Sequence, residues 1–358
     1  METVYGTTSP FIYLPLRYNA LLSMGPSITS DPGLFGDPNK WLNISASDLL
    51  RLRLSSVTSL KPVNPERSIL DSDVRKLREV ALSQKYVDIE VNMTKSQRKI
   101  FRDQFSGTIS VKGRLERVLN YSGTEFSRPI EKVFSDGSLR AADAVKYLFE
   151  SDVNVYKIQQ LLSVGSLGIN RKLVATRWSI TAVDSMLSSS MLREITQYGI
   201  ISSYMVGKSY IMGNRFAVVV EPECYSFEML ESWAPYNGSE NLIQVLARDN
   251  EGYFGRKDYA DEVEGAYYAA RFSAVKFLEN IRKQASIIVL MEVDRNWIPS
   301  LGVWRVREGV KAAFENIQKQ DDKTHAYNEA FKFMKTRKES WVISSSKFRQ
   351  IKIDEFLR

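Results

Sequence analysis

One cysteine, Cys224, and one histidine, His325, in 358 residues decide what must hold this chain together. No disulfide can close within it and no Cys/His zinc site can be assembled. A Ser-His-Asp triad is not expected either, with the sole histidine in a polar stretch near the C-terminus. Stability has to come from buried apolar surface. At 44% hydrophobic and 25% charged residues the chain has enough of it, and its length exceeds what one core ordinarily organises, so a globular protein of two lobes is expected. No apolar run approaches the length of a membrane span: the longest, from Ala285 to Met291, ends at Glu292. The N-terminus has no basic region leading into an apolar stretch. A cytoplasmic protein with no membrane partner is the expectation.

The periodicities mix helix and strand, and the expected class is α/β mixed (α+β), with a helix-rich N-terminal part, a central β-hairpin or sheet and a helical C-terminal lobe. The first forty residues, rich in Pro, Gly and Ser, look like an extended, wrapped segment. Helical patterns follow over 41–54, capped by Ser45 or Ser47, over 68–82, with Leu70, Val74, Leu77 and Val80 on one face, and over 141–149 and 155–162. Val87–Val91 alternates like a strand. Two β-rich runs within 204–221 meet at Met212-Gly213-Asn214-Arg215 and predict a hairpin whose apolar second strand, Phe216–Val220, is covered on both faces. Phe227–Trp233 reads as a short helix with Glu228 and Glu231 one turn apart. The composition then turns to Gly, Asn, Asp and Ser from Pro235 to Gly255, where the boundary between lobes is expected. That gives units 1–240 and 241–343 and a flexible tail 344–358. In the second lobe a long helix over 261–284, a buried strand over 286–293 and a helix over 303–317 are predicted.

Cationic, aromatic and hydroxyl side chains are densest from Arg171 to Asp184, read RKLVATRWSITAVD. Thr181 and Asp184 have the spacing of a capping box, and Ile180, Val183, Leu187 and Met191 continue at helical spacing, which places a helix start near Thr181. Arg171, Lys172, Arg177 and Trp178 would then precede it. Unpaired N–H groups of a helix start beside three basic side chains suit a phosphate, and an indole can stack on a base. The competing reading makes Trp178 core, Asp184 a cap and the arginines partners of carboxylates.

The net charge of +7 is unevenly placed. Lys95, Arg98, Lys99, Arg102, Lys112, Arg114 and Arg117 face only Asp103 and Glu116 in their stretch, with Phe101 and Phe105 interleaved. From Phe331 to Arg358 eight basic residues again outnumber three acidic ones. A polyanion contact needs such local charge, although a solvated face with its phenylalanines turned inward has the same pattern.

The Arg171 stretch is closely similar to a run carried by the archaeal Nre family, implicated in DNA repair. The resemblance continues at Glu221–Trp233 (EPECYSFEMLESW), Gly265–Arg271 (GAYYAAR) and Pro299–Glu308 (PSLGVWRVRE). It implies a DNA-repair role. Some members carry an N-terminal cysteine cluster; this chain lacks it, so nothing attributed to that cluster carries over.

Gln350, Ile353, Phe356 and Leu357 have the spacing of the peptide that binds the sliding clamp PCNA, a PIP box. In one short helical turn the aliphatic and two following apolar side chains converge into a plug while the glutamine bonds at the rim. Ser344-Ser345-Ser346 looks like a flexible leash before it. Clamp-binding peptides also occur at C-termini in the family it resembles. The expected partners are therefore PCNA and DNA, with the oligomeric state left open.

Chemistry is undecided at this level. Asp184, Glu228, Glu231, Glu264, Glu292 and Glu308 are the candidate carboxylates. Asp184, Glu228, Glu231 and Glu292 are the first choice for a metal-dependent nuclease or phosphodiesterase that would use Mg²⁺ or Mn²⁺. No tight ligand motif assigns a metal to this chain. There is no Gly-x-x-x-x-Gly-Lys-Ser/Thr loop, and no cofactor and no zinc are expected. The main expectation is a repair factor that binds the clamp and DNA; the nuclease is the alternative.

Overall fold

The structure, a computed structural model, describes residues 2–15, 22–65, 68–94, 111–233, 245–294 and 302–349. They form two compact units, Met1–Leu187 with Pro299–Gly302, and Ser188–Ile298 with Val303–Arg358. Each mixes helices with a sheet, as an α+β chain should.

The first unit contains strands β1 (Glu2–Thr8), β2 (Leu22–Met24), β3 (Ser27–Ile28), β4 (Val57–Val63), β5 (Val87–Met93) and β6 (Val111–Ser122). Its helices are α1 (Pro32–Phe35), α2 (Ala46–Ser55), α3 (Ser72–Leu82), α4 (Arg128–Ser135), α5 (Ala141–Glu150), α6 (Val155–Ser163) and the start of α7 (Thr176–Ile195). The strands close on themselves. β1 pairs antiparallel with β3 and β5, β5 with β6, and β4 takes β2 and β3 along one edge and β6, in parallel, along the other. Counting β2 and β3 as one interrupted strand, this is a five-stranded barrel in the order 1-2-3-5-4, with α3 inserted between the third and fourth strands.

α3 is held in place from both ends of its charge pattern. Asp71 caps it through Asp73 and Val74 N–H, Lys61 bridges Asp71 and Asp73 at 2.8 and 2.7 Å, and Asp73 accepts from Val118 N–H of β6. Its apolar stripe, Val74, Leu77, Val80 and Ala81, enters a core shared with Ile89, Val91, Leu115 and Val118 of the barrel. Burying four such side chains contributes on the order of 6–10 kcal/mol before entropy is counted. The helix pattern expected over 68–82 is present, preceded by a 3-10 turn at Ser68–Leu70.

The second unit is built on one sheet of β10 (Val245–Glu251), β9 (Ser226–Trp233), β11 (Ser286–Val293), β8 (Asn214–Glu221), β7 (Tyr204–Ile211) and β12 (Gln318–Gln320), in that order. Only the β9–β11 pair is parallel. The predicted hairpin is β7–β8, with Met212 and Gly213 at positive φ in its turn. α8 (Gly265–Ile281) and α9 (Trp304–Glu315) cover one face, and α10 (Lys323–Phe333) and α11 (Lys338–Ser344) the other. β8 alternates between them: Ala217 and Val219 meet Tyr327 and Phe331, while Phe216 meets Gly309 of α9. A Cβ on Gly309 would stand 2.2 Å from the Phe216 ring, so this helix can approach the strand only with glycine there. α12 (Ser346–Arg349) follows.

Two expectations are corrected. Residues Phe227–Trp233 form strand β9, not a helix, so Glu228 and Glu231, three apart, point to opposite faces of the sheet. The helix expected to begin near Thr181 begins at Thr176. The segment before it is extended, alternating buried Leu173 and Ala175 with more exposed neighbours, and its hydrogen bonds run from Val174 N–H to Ser163 and from Thr176 N–H to Leu14.

Candidate functional site

Alternation decides which way the 171–176 segment presents its cations. Leu173 and Ala175 enter the barrel core, and Arg171, in the left-handed region at φ 43°, begins the run. Its guanidinium lies over the Phe134 ring at 4.8 Å and donates to the Phe134 carbonyl. A second arginine reaches the same place from α3. Arg78, only 8% exposed, donates to the carbonyls of Val164 at 2.7 Å and Arg171 at 3.1 Å. Gly165, at φ +69°, makes room: a Cβ there would stand 2.5 Å from the Arg171 oxygen and 2.9 Å from the Arg78 guanidinium.

These two groups line a cavity of about 450 Å³ with Arg75, Phe126, Phe134 and the carboxylates Glu79 and Glu131. Arg75, Arg78 and Glu79 share one flank of α3 through their i, i+3 and i+4 spacing. Phe126 is 44% exposed. Glu79 accepts from Tyr121, whose hydroxyl is pushed up to about 12 by burial and by that carboxylate. Burial first, and the neighbouring Arg171 second, draw the Arg78 pKa down. Among the described residues no carboxylate lies in ion-pair contact with Arg75, Arg78 or Arg171, although Arg171 acts electrostatically on Asp136; the bonds of Arg78 and Arg171 go to carbonyl and hydroxyl oxygens, and in the cavity the three cations outnumber Glu79 and Glu131. Three guanidinium groups beside two phenyl rings suit a ligand that is anionic and flat, as a nucleotide of a nucleic-acid strand is.

Of the residues the sequence singled out, Arg171 alone lines this cavity. Lys172 is exposed beside it, and Arg177 and the 48% exposed Trp178 occupy the first turn of α7. Lys95, Arg98, Lys99 and Arg102 lie outside the described residues, as do Gln350, Ile353, Phe356 and Leu357. Sequence reading passed over Arg75, Arg78, Phe126 and Phe134. For the two arginines the one available signal was their three-residue spacing in the predicted 68–82 helix.

The candidate carboxylates are spread over the fold and bound up in it. Asp184 is fully buried in α7 and accepts from Gln159 at 3.3 Å. Glu228 accepts from the Ser345 hydroxyl and from the N–H and hydroxyl of Ser346, so the expected leash is docked on β9. Arg248 bonds the Ser344 carbonyl and Lys347 pairs with Glu221 and Glu223, and the anchoring thus continues up to α12. Glu292 accepts from Lys335 N–H and from Thr336, and pairs with Arg215. Glu231 is 6% exposed; burial pushes it up to about 7, against the pull of Arg305 and a hydrogen bond from Trp233. Glu264, at φ 55°, precedes α8, and Glu308 is buried in α9. Among the described residues no group of three or more His, Cys, Asp or Glu side chains is placed to hold a metal ion, and no helix is long and apolar enough to cross a membrane.

Comparison with known proteins places this geometry in context. Residues 2–237 match the family model described as archaeal Nre, N-terminal, and residues 251–357 that described as archaeal Nre, C-terminal. The DNA repair protein NreB of Archaeoglobus fulgidus is 34% identical over 317 residues, covering 87% of this chain and 80% of its own. NreA of the same organism, also named a DNA repair protein, is 32% identical over 81% of this chain and 74% of its own. NreA of Haloferax volcanii is 28% identical over 88% and 79%. No solved structure matches.

Proposed function

The chain belongs to the archaeal Nre family, and from that membership we propose that it is a DNA-repair factor that holds nucleic acid at the arginine-lined cavity of its first unit and engages the sliding clamp PCNA through Gln350, Ile353, Phe356 and Leu357. One observation carries the DNA reading: Arg75, Arg78 and Arg171 converge on one cavity, outnumber its carboxylates Glu79 and Glu131, and have no ion-pair contact with a carboxylate among the described residues, beside the exposed ring of Phe126. A guanidinium binds phosphate through two parallel N–H groups, and a phenyl face accepts any base, so the pair favours a strand without demanding a sequence.

The barrel supports the reading at the level of scaffold. A closed five-stranded barrel in the order 1-2-3-5-4, with the third and fifth strands parallel and a helix after the third, has the connectivity of the OB-fold, which often carries oligonucleotides. The face such barrels commonly use is buried here, since Leu22, Ser23, Met24, Thr58, Ser59 and Leu60 are all enclosed. Scaffold alone does not assign function, and the assignment of the site rests on the arginines. The clamp reading rests on the spacing of the peptide and on the apolar plug it would form.

Fluorescence anisotropy with labelled single-stranded, duplex and flap DNA tests the DNA reading. Affinity should fall with salt, and Arg171→Ala should weaken binding about tenfold and lower the salt slope by about 1. Undiminished affinity of Arg171→Ala, or no binding of any probe, would overturn it. Mg²⁺ or Mn²⁺ is added in a parallel arm. Labelled product that disappears with Asp184→Ala would move the assignment to a metal-dependent nuclease.

A further inference from the structure

A second cavity of the first unit, about 600 Å³, opens on the other side of the segment that leads into α4: Phe126 lines the arginine cavity and its neighbour Ser127 lines this one. Its walls include the rings of Phe11, Tyr86 and Tyr156 and the rigid edges of Pro10, Pro32 and Pro129. Two buried polar atoms on residues that line it have no partner. Gln160, 4% exposed, donates its side-chain amide to the Ile12 carbonyl at 3.1 Å. That carbonyl can only accept, so the NH₂ must face it and the amide oxygen is left over; it is buried and unbonded. Ser127 stands at the N-cap of α4, yet its hydroxyl makes no capping bond and is likewise buried and unbonded. An unmet buried acceptor costs about 1–3 kcal/mol, which a ligand carrying an N–H donor would recover.

We propose that this cavity receives a single nucleobase, either that of a free nucleotide or one unstacked from single-stranded DNA. Three aromatic residues supply the stacking surface, and the Gln160 oxygen supplies an acceptor for an exocyclic amine, the donor that adenine, cytosine and guanine carry and thymine lacks. The N-terminal turns of α4 and α6, at Ser127 and Asn154, and Lys40, which pairs loosely with Asp37 at 3.9 Å, also line the cavity and would meet a sugar and phosphate, with Asp37 and Asp152 as the carboxylates that a phosphate would have to avoid. Lys157 forms part of the inner wall. Its ammonium donates to the carbonyls of Ala81 and Ser83 at the end of α3, and burial draws its pKa down to about 7. The inference deepens the DNA reading in its single-strand branch, but its free-nucleotide branch does not need that reading.

The test measures calorimetric binding of dAMP, dCMP and dTMP to the full chain, together with the fluorescence of a single strand carrying one 2-aminopurine. The two amine-bearing nucleotides should bind about tenfold more tightly than dTMP, the worth of one buried hydrogen bond. Gln160→Met should erase that preference. Ser127→Ala, a milder change read alongside thermal melting, should weaken all three nucleotides several-fold. A rise in 2-aminopurine emission on binding identifies a base drawn from DNA; nucleotide binding without it identifies a free nucleotide. No saturable nucleotide binding and no emission change, or binding indifferent to both substitutions, refutes the proposal. If the strand is held in an Arg171-dependent way while that refuting result is found, this inference falls and the DNA reading stands. Nucleotide binding with no DNA binding does the opposite: the DNA reading falls and the cavity keeps its free-nucleotide ligand.

Discussion

The guanidinium of Arg78 donates to the main-chain carbonyl of Arg171, 3.1 Å away, so one basic side chain fixes the backbone from which another projects. The two should therefore fail differently. Arg78→Met would strand the Val164 and Arg171 carbonyls and should cost about 2–3 kcal/mol, seen as a lower midpoint in urea. Arg171→Ala strands only the Phe134 carbonyl and should cost about 1 kcal/mol, a smaller fall in midpoint, while weakening ligand binding. Equal midpoints for the two variants would contradict the assignment.

Glu228 is expected to act as a latch. Glu228→Ala removes the acceptor for Ser345 and Ser346 and should release the segment that ends at Arg349. Limited trypsin digestion reads this out at Lys347 and Arg349: cleavage there should accelerate by about tenfold or more while the rest of the chain keeps its rate. Unchanged cleavage would show that Arg248 and Lys347 hold the segment without it.

Glu231 sets a pH trend. Its pKa in the native state, about 7, lies above the ordinary 4.5, so the folded chain holds this proton more tightly than the unfolded one. The stability it supplies is complete below pH 4.5 and is lost as the pH rises through 7, with a slope of up to about 1.4 kcal/mol per pH unit. Unfolding midpoints of the parent and of Glu231→Gln should therefore diverge across that window, with the parent falling more. Parallel curves would remove the inference.

Phe356→Ala should cost the clamp interaction about a hundredfold in affinity, because one buried aromatic anchor dominates so small an interface. A titration against PCNA that shows no change would remove the clamp from the proposal.

Much of the second unit was legible because its signals are local. The β7–β8 hairpin announces itself by Met212-Gly213, and the apolar run Phe216–Val220 by its covering on both faces. β9 was not legible: its parallel partner β11 lies some sixty residues away, and the i, i+3 spacing of Glu228 and Glu231 imitates a helix. Thr181 and Asp184 match a capping box but lie inside α7, because Thr176, tied to Leu14, starts the helix one turn earlier. β6 was hidden by its own charge, Lys112, Arg114 and Arg117 marking a basic stretch rather than a barrel strand. The arginine cavity could not be seen either, since Arg78 and Arg171 stand 93 residues apart and meet only when the barrel closes.

The docking of Ser345, Ser346 and Lys347 has a mechanical corollary for any complex formed through the clamp peptide. Ile353 follows Arg349 by four residues, so a backbone drawn out fully spans only about 14 Å between them. A ring seated on that plug would be held within about 14 Å of the segment docked on β9. Breaking the Glu228 contacts would lengthen the tether and trade closeness for reach.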